Sequence, residues 1–76
     1  MNTETNTIAG TTVSRFLVRY LTQVREQVQR PDYILSGQGI ALVEAAIRDG
    51  FRRQLMHGRE FAHLRAAAYD WITEGK

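Results

Sequence analysis

The sequence predicts an all-α domain of three helices that follows a flexible N-terminal tail. Three stretches place apolar residues at the spacing of one helical face, roughly every 3.6 residues. The chain has 76 residues, of which 43% are hydrophobic and 24% charged, which is typical of one small folded domain. We assign residues 1–12 to the tail and residues 13–76 to the helical domain.

The first helix is predicted over residues 13–29. The preceding segment is polar and rich in threonine, with Ile8 as its main apolar side chain, so we expect a flexible tail that can order against a partner. Candidate N-caps are Thr11, Thr12 and Ser14. The apolar face comprises Val13, Leu17, Tyr20, Leu21, Val24 and Val28. Pro31 ends the helix because it has no backbone N–H to donate.

The second helix is predicted to begin after the N-cap Ser36 and to run to about His57. Its core stripe comprises Ile40, Val43, Ile47, Phe51 and Gln54. A glycine inside a helix costs about 1 kcal/mol relative to alanine, so Gly50 predicts close approach by a neighbouring helix. A second apolar strip comprises Leu42, Ala46 and Met56. A helix that is apolar on two sides is typical of a shared core and interface, so we expect a homo-oligomer.

The third helix is predicted over residues 59–74, after a break at Gly58. Its core face comprises Phe61, Leu64, Ala68, Trp71 and Ile72. The apolar segment 33–35, between the first two helices, is expected to pack beneath the core.

Neither catalysis nor metal binding is indicated by the sequence. There is no cysteine, and His57 and His63 stand on either side of Gly58, where one helix face cannot align them. The acidic residues are spread singly, without the close carboxylate pair of acid–base enzymes. The turn at residues 37–39 lacks the third glycine and the lysine of phosphate-binding loops. We therefore predict no catalytic residue, no cofactor and no metal.

Arginines provide the main candidate binding surface. The net charge is +2, carried by nine arginines and one lysine. Arg48, Arg52 and Arg59 are predicted on one side of the second helix, with Arg53 about 100° away, and Arg15 and Arg19 form a smaller cluster on the first helix. One interpretation is a solvated face with local ion pairs, such as Glu44 with Arg48. The other is a surface for phosphate or for an acidic partner, since arginine binds both bidentately.

Two aromatic residues, Phe16 and Tyr69, lie outside the main apolar stripes of their helices. Exposed aromatic side chains often anchor partner proteins, so both are candidate interface residues. The alternative is that they pack on the segment 33–35. Phe51, Phe61 and Trp71 are instead expected in the core.

The run Leu42-Val43-Glu44-Ala45-Ala46-Ile47-Arg48-Asp49, followed by Ala66-Ala67-Ala68-Tyr69-Asp70-Trp71, resembles short uncharacterised helical proteins of phages and prophages. Members of that group often carry an aromatic residue after the aspartate, where Gly50 stands in this chain. The resemblance brings no activity with it, but it implies an accessory protein of a mobile element.

The sequence as a whole predicts a non-enzymatic accessory protein in the cytoplasm of a bacterial host, which binds a host or phage protein and inhibits or redirects it. A nucleic-acid-binding regulator and an oligomer that sequesters an anionic nucleotide are the alternatives. A membrane is not expected as a partner, because the longest apolar run, residues 40–43, falls far short of the roughly 20 residues that span a bilayer.

Overall fold

Three helices and one short hairpin make up residues 6–76, the part of the chain that the computed structural model describes. The elements in chain order are β1 (Thr7–Ile8), β2 (Thr11–Thr12), α1 (Arg15–Val28), α2 (Gly37–Arg53), a 3-10 turn (Arg59–Phe61) and α3 (Ala62–Ile72). The predicted three-helix domain is confirmed. None of the helices in residues 6–76 combines the length and the apolar character that spanning a bilayer requires.

The hairpin occupies a segment for which the sequence predicts a flexible tail. Its strands are antiparallel, with Thr7 opposite Thr12 and Ile8 opposite Thr11. Ala9 and Gly10 connect them with φ angles of 52° and 82°, the positive values that tight hairpin turns use. Ile8 is buried and joins the helical core, which gives this polar segment an apolar anchor. Residues 7–12 are therefore folded, whereas residues 1–5 of the predicted tail lie outside the described residues.

Serine caps set the starts of α1 and α2. The Ser14 hydroxyl accepts a hydrogen bond from the Leu17 amide at 3.0 Å, and the Ser36 hydroxyl accepts one from the Gly39 amide at 3.4 Å. Each bond satisfies an amide that has no partner inside its helix. Ser36 is thereby confirmed as the predicted cap of α2, and Ser14 is the cap of α1 among the three candidates.

The core lies between the three helices and is entirely apolar. Its buried side chains are Ile8, Val13, Leu17, Leu21, Val28, Val43, Ile47, Phe51, Leu64, Ala68 and Ile72. Phe51 is buried as predicted, whereas Phe61 and Trp71 are only partly buried against the core. In the segment 33–35, Tyr33 and Leu35 pack on the core as predicted, but Ile34 is 83% exposed.

Gly50 allows α1 and α2 to approach closely, as its position in the sequence predicts. A Cβ atom at this position would lie 2.9 Å from Leu17 Cδ1 and 3.0 Å from Tyr20 Cδ2. Leu17 is fully buried, so its side chain has little space into which it can move. The missing Cβ therefore determines the separation of the two helices.

Side chains of α1 bind the C-terminal end of α3. Arg25 Nε donates to the Trp71 carbonyl at 2.9 Å, and the guanidinium lies 5.2 Å from the centre of the Trp71 ring. Gln29 Nε2 donates to the carbonyls of Ile72 and Glu74, each at 2.9 Å. These bonds reach carbonyls at and just beyond the end of the helix, where few internal donors remain. They join α1 to α3 by polar contacts around the apolar core.

Replacing Gly50 by alanine should lower the free energy of unfolding by about 1 kcal/mol. Alanine gains about 1 kcal/mol of helix propensity, but overpacking against Leu17 and Tyr20 costs about 1–3 kcal/mol. Gly37→Ala is the control, because a Cβ there meets nothing within 4 Å, and it should be neutral or stabilising. Urea denaturation measures the free energy of unfolding of both variants. Equal stabilisation by the two variants would contradict the close contact at Gly50.

Replacing Arg25 by alanine should lower the free energy of unfolding by about 2 kcal/mol. It removes the Nε bond to the Trp71 carbonyl, which keeps only a long 3.5 Å bond from the Glu74 amide, and it removes the contact with the ring. Glu74→Gln removes only the ion pair with Arg25, whose N···O distance is 3.0 Å and whose glutamate side chain is 68% exposed. An exposed pair contributes little, so this control should change stability by less than about 0.5 kcal/mol. Thermal and urea denaturation would distinguish the two variants. Similar losses of stability in Arg25→Ala and Glu74→Gln would argue against a stabilising bond from Arg25 to the Trp71 carbonyl.

Candidate functional site

A groove between α2 and α3 brings together arginines from both helices. It consists of two cavities of about 370 and 240 Å³ that share Arg48 and Arg65 on their walls. Arg52 lines the smaller cavity and Tyr69 the larger one. We call this surface, with Arg48, Arg52, Arg65 and Tyr69, the arginine groove.

The guanidinium groups of the arginine groove are not neutralised by neighbouring carboxylates in the described part of the chain. Arg48 and Arg52 are exposed and form no ion pair with any residue between 6 and 76, so the pair predicted between Glu44 and Arg48 does not form. Arg65 is partly buried, and its Nη2 donates to the Gly58 carbonyl at 3.4 Å. Three positive charges therefore face one groove with most of their donors open.

The two ends of the arginine groove differ in charge. The smaller cavity is lined by Arg48, Arg52 and Arg65 beside His57, with no carboxylate on its walls in residues 6–76. The larger cavity also contains Glu44 and Asp70. The groove is therefore basic at the end of α2 and mixed in sign at the other end.

Three further predicted residues lie together on a separate surface of α1. Arg15, Phe16 and Arg19 line a groove of about 490 Å³ with Tyr20 and Gln23. Phe16 is 54% exposed, and its ring is nearly parallel to that of Tyr20, with the ring centres 6.5 Å apart. Phe16 therefore stacks on Tyr20 of its own helix, while more than half of its surface remains open.

Two predicted residues do not join the arginine groove. Arg53 Nε contacts Asp49 Oδ2 at 3.0 Å, and the same carboxylate oxygen accepts a 3.4 Å hydrogen bond from the Tyr20 hydroxyl. Arg59 lies in the 3-10 turn and lines neither cavity of the groove. Its predicted alignment with Arg48 and Arg52 does not occur, because α2 ends at Arg53 and not near His57.

Arg65 lies at the junction of the two cavities and is not among the site residues predicted from the sequence. It belongs to an alanine-rich helix whose clearest sequence signal is its apolar face. A useful signal was present, since Arg65 and Tyr69 are spaced i, i+4 and so share one side of α3. Tyr69 follows the buried Ala68 directly and Arg65 precedes it by three residues, about one helical turn. Both residues therefore lie at the edge of the core.

The two histidines are the other candidate ligand residues in the described part of the chain. His57 and His63 are both exposed, and His57 lines the smaller cavity of the arginine groove. Residues 6–76 contain no group of three or more His, Asp or Glu side chains placed to hold a metal ion.

Comparison with protein-family models, with curated proteins and with solved structures gave no match. The resemblance to phage proteins therefore stays a prediction.

Leu55 adopts a strained backbone conformation beside the arginine groove. Its φ is 58°, the left-handed region, which costs about 1–2 kcal/mol for a residue with a Cβ. The Leu55 amide donates to the Arg52 carbonyl at 3.0 Å and the Met56 amide to the Phe51 carbonyl at 2.8 Å, an arrangement that usually has glycine at this position. This cap ends α2 four residues before the predicted end. The Leu55 side chain is 81% exposed, so its burial does not offset the strain.

Leu55→Gly should raise the free energy of unfolding by about 0.5–1 kcal/mol, because glycine relieves the left-handed strain at some cost in chain entropy. Leu42→Gly is the matched control, an exposed leucine in the middle of α2, and it should destabilise by about 1 kcal/mol. Urea denaturation of both variants provides the test. A destabilised Leu55→Gly chain would show that the leucine side chain contributes to folding.

Proposed function

We propose that this chain is a non-enzymatic binding protein that holds an acidic segment of another protein in the arginine groove, and thereby inhibits or redirects that protein. The observation that supports the proposal is the convergence of Arg48, Arg52 and Arg65 from two helices on one groove, without carboxylate partners among residues 6–76 at its basic end.

Arginine suits this role for physical reasons. Its planar guanidinium donates two parallel hydrogen bonds to one carboxylate, and bonds of this kind to charged groups contribute about 1.5–3 kcal/mol. Because the three arginines are attached to packed helices, their backbones need no rearrangement on binding, which lowers the entropy cost. Tyr69, which is partly buried in the same groove, adds an aromatic contact of the type that anchors protein interfaces.

The mixed charge of the groove favours a protein segment over a nucleic acid. Glu44 and Asp70 line the larger cavity, where the evenly spaced phosphates of a nucleic acid would meet negative charge. A peptide places carboxylates at the basic end and neutral or basic side chains at the other. The net charge of +2 is also small for a surface that binds phosphates non-specifically.

The arginine groove predicts that Arg48→Glu/Arg52→Glu will abolish partner binding. Removing two charge-assisted contacts and reversing both charges should weaken the complex well over tenfold, a factor that corresponds to 1.4 kcal/mol. The matched control is Arg15→Glu/Arg19→Glu, which changes the net charge equally on the separate surface of α1. Immobilised wild-type, groove and control chains are compared for the proteins they retain from a bacterial lysate, and the retained partner is then titrated by calorimetry.

Retention by the wild type and the control, but not by the groove variant, supports the proposal. Equal retention by all three chains, or loss only in the control, contradicts it. A parallel titration with single- and double-stranded oligonucleotides addresses the alternative. Oligonucleotide affinity that falls steeply with salt and disappears in the groove variant would assign the arginine groove to nucleic acid.

A further inference from the structure

The basic end of the arginine groove holds more positive charge than one carboxylate can balance. Its cavity, of about 240 Å³, is lined by Arg48, Arg52 and Arg65, and no acidic residue between positions 6 and 76 lies on its walls. A carboxylate has a single negative charge, and its two oxygens match the fork of one guanidinium. A bound carboxylate would therefore leave two of the three arginines without a matching anion.

This arrangement of arginines opposes folding while no ligand is bound. Arg48 and Arg52 are four residues apart on α2, and like charges at this spacing destabilise a helix. Arg65 brings a third positive charge from α3, where its Nη2 donates to the Gly58 carbonyl at 3.4 Å. An anion in the cavity would relieve the repulsion between all three side chains. Charge complementarity thus indicates a ligand that carries more than one negative charge.

The other walls of the same cavity strengthen such an interaction. Phe51 is buried and Met56 is partly buried against the core, so one side of the cavity is apolar. Hydrogen bonds to a charged group are stronger beside a surface of low dielectric constant than in bulk water. His57 lines the cavity as well, and an imidazole always has at least one ring N–H that can donate.

We propose that the basic end of the arginine groove binds the phosphate of a phosphorylated side chain in the partner's segment, an inference that rests on the proposed function of the groove. Such a phosphate carries a charge of about −1.5 to −2 at pH 7 and has three strong acceptor oxygens. Each of the three guanidinium groups can therefore donate to the phosphate. Arginine clusters are a recurrent means of recognising phosphorylated segments of proteins. A phosphate occupies the space of a few water molecules, at about 30 Å³ each, and fits this cavity.

The larger cavity of the groove indicates that the phosphate belongs to a peptide. The two cavities share Arg48 and Arg65, and the larger one is also lined by Glu44, Tyr69 and Asp70. A nucleic acid would place further phosphates beside the two carboxylates, and a free phosphate ion would leave the larger cavity empty. A peptide that continues from the phosphorylated residue contacts Tyr69 and can place a lysine or an arginine beside the carboxylates.

The test titrates the wild-type chain with four peptides that differ only at their central residue. Phosphoserine, phosphotyrosine, glutamate or serine is flanked on each side by alanine and then lysine, and both ends are blocked. Amide chemical shifts are followed at constant ionic strength. We expect the better phosphorylated peptide to bind at least tenfold more tightly than the glutamate peptide, with shifts at the end of α2 and around Arg65. Inorganic phosphate, titrated in parallel, should bind more weakly than that peptide.

Variants identify the side chains that hold the phosphate. Arg48→Gln, Arg52→Gln and Arg65→Gln should each weaken binding of the phosphorylated peptide about tenfold, because each loses a charge-assisted contact. Arg15→Gln is the matched control. It removes one positive charge from the separate surface of α1 and should change the affinity less than twofold. Far-UV circular dichroism checks that each variant is folded.

Several outcomes would overturn the inference. A glutamate peptide that binds as tightly as both phosphorylated peptides would do so and would leave the proposed function intact. Inorganic phosphate that binds as tightly as the peptides, absence of binding by both phosphorylated peptides at millimolar concentration, or equal weakening by Arg15→Gln would also do so. Failure of the proposed function has a different signature, because it appears in the lysate comparison as equal retention by the wild type and the groove variant.

Discussion

The contact between α1 and α2 at Gly50 determines the placement of most of the other features. Because Gly50 has no Cβ, Leu17 and the ring of Tyr20 pack directly on the backbone of α2. This position brings the Tyr20 hydroxyl to Asp49, and Asp49 in turn pairs with Arg53. The acidic residue of this part of α2 is thus engaged on the side of α1, away from the arginines that line the groove with α3. The close contact at Gly50 and the engagement of Asp49 thus occur at the same point of the α1–α2 interface.

Much of the fold was predictable because its signals are local. The serine caps, the helical spacing of apolar residues and the glycine within α2 each depend on a few neighbouring residues. The end of α2 was not predictable in the same way, since Leu55 gives no sequence signal for a left-handed cap that normally uses glycine. The hairpin was missed because its one anchor, Ile8, is buried only through contacts with distant parts of the chain.

The candidate site was predictable in part. Arg48, Arg52 and Tyr69 lie in the arginine groove, whereas Arg15, Arg19 and Phe16 lie on a different surface. The grouping depends on which helices are adjacent, and helical periodicity within one segment carries no such information. Arg65 illustrates this point, since its role follows from the position of α3 beside α2 and not from the residues around it in the sequence.

The attachment of α3 to α1 has a consequence for the order of events during biosynthesis. Arg25 and Gln29 bind backbone carbonyls that lie 43 to 46 positions later in the chain, and Lys76 Nζ binds the carbonyls of Arg30 and Tyr33 from equally far away. On a ribosome, α1 emerges well before the groups that complete its contacts. Its apolar face can pack on α2 earlier, but its polar contacts with the end of α3 cannot form until residues 71–76 have left the exit tunnel. The contacts between α1 and the end of α3 are therefore the last to form, because each of them closes a loop of more than 40 residues.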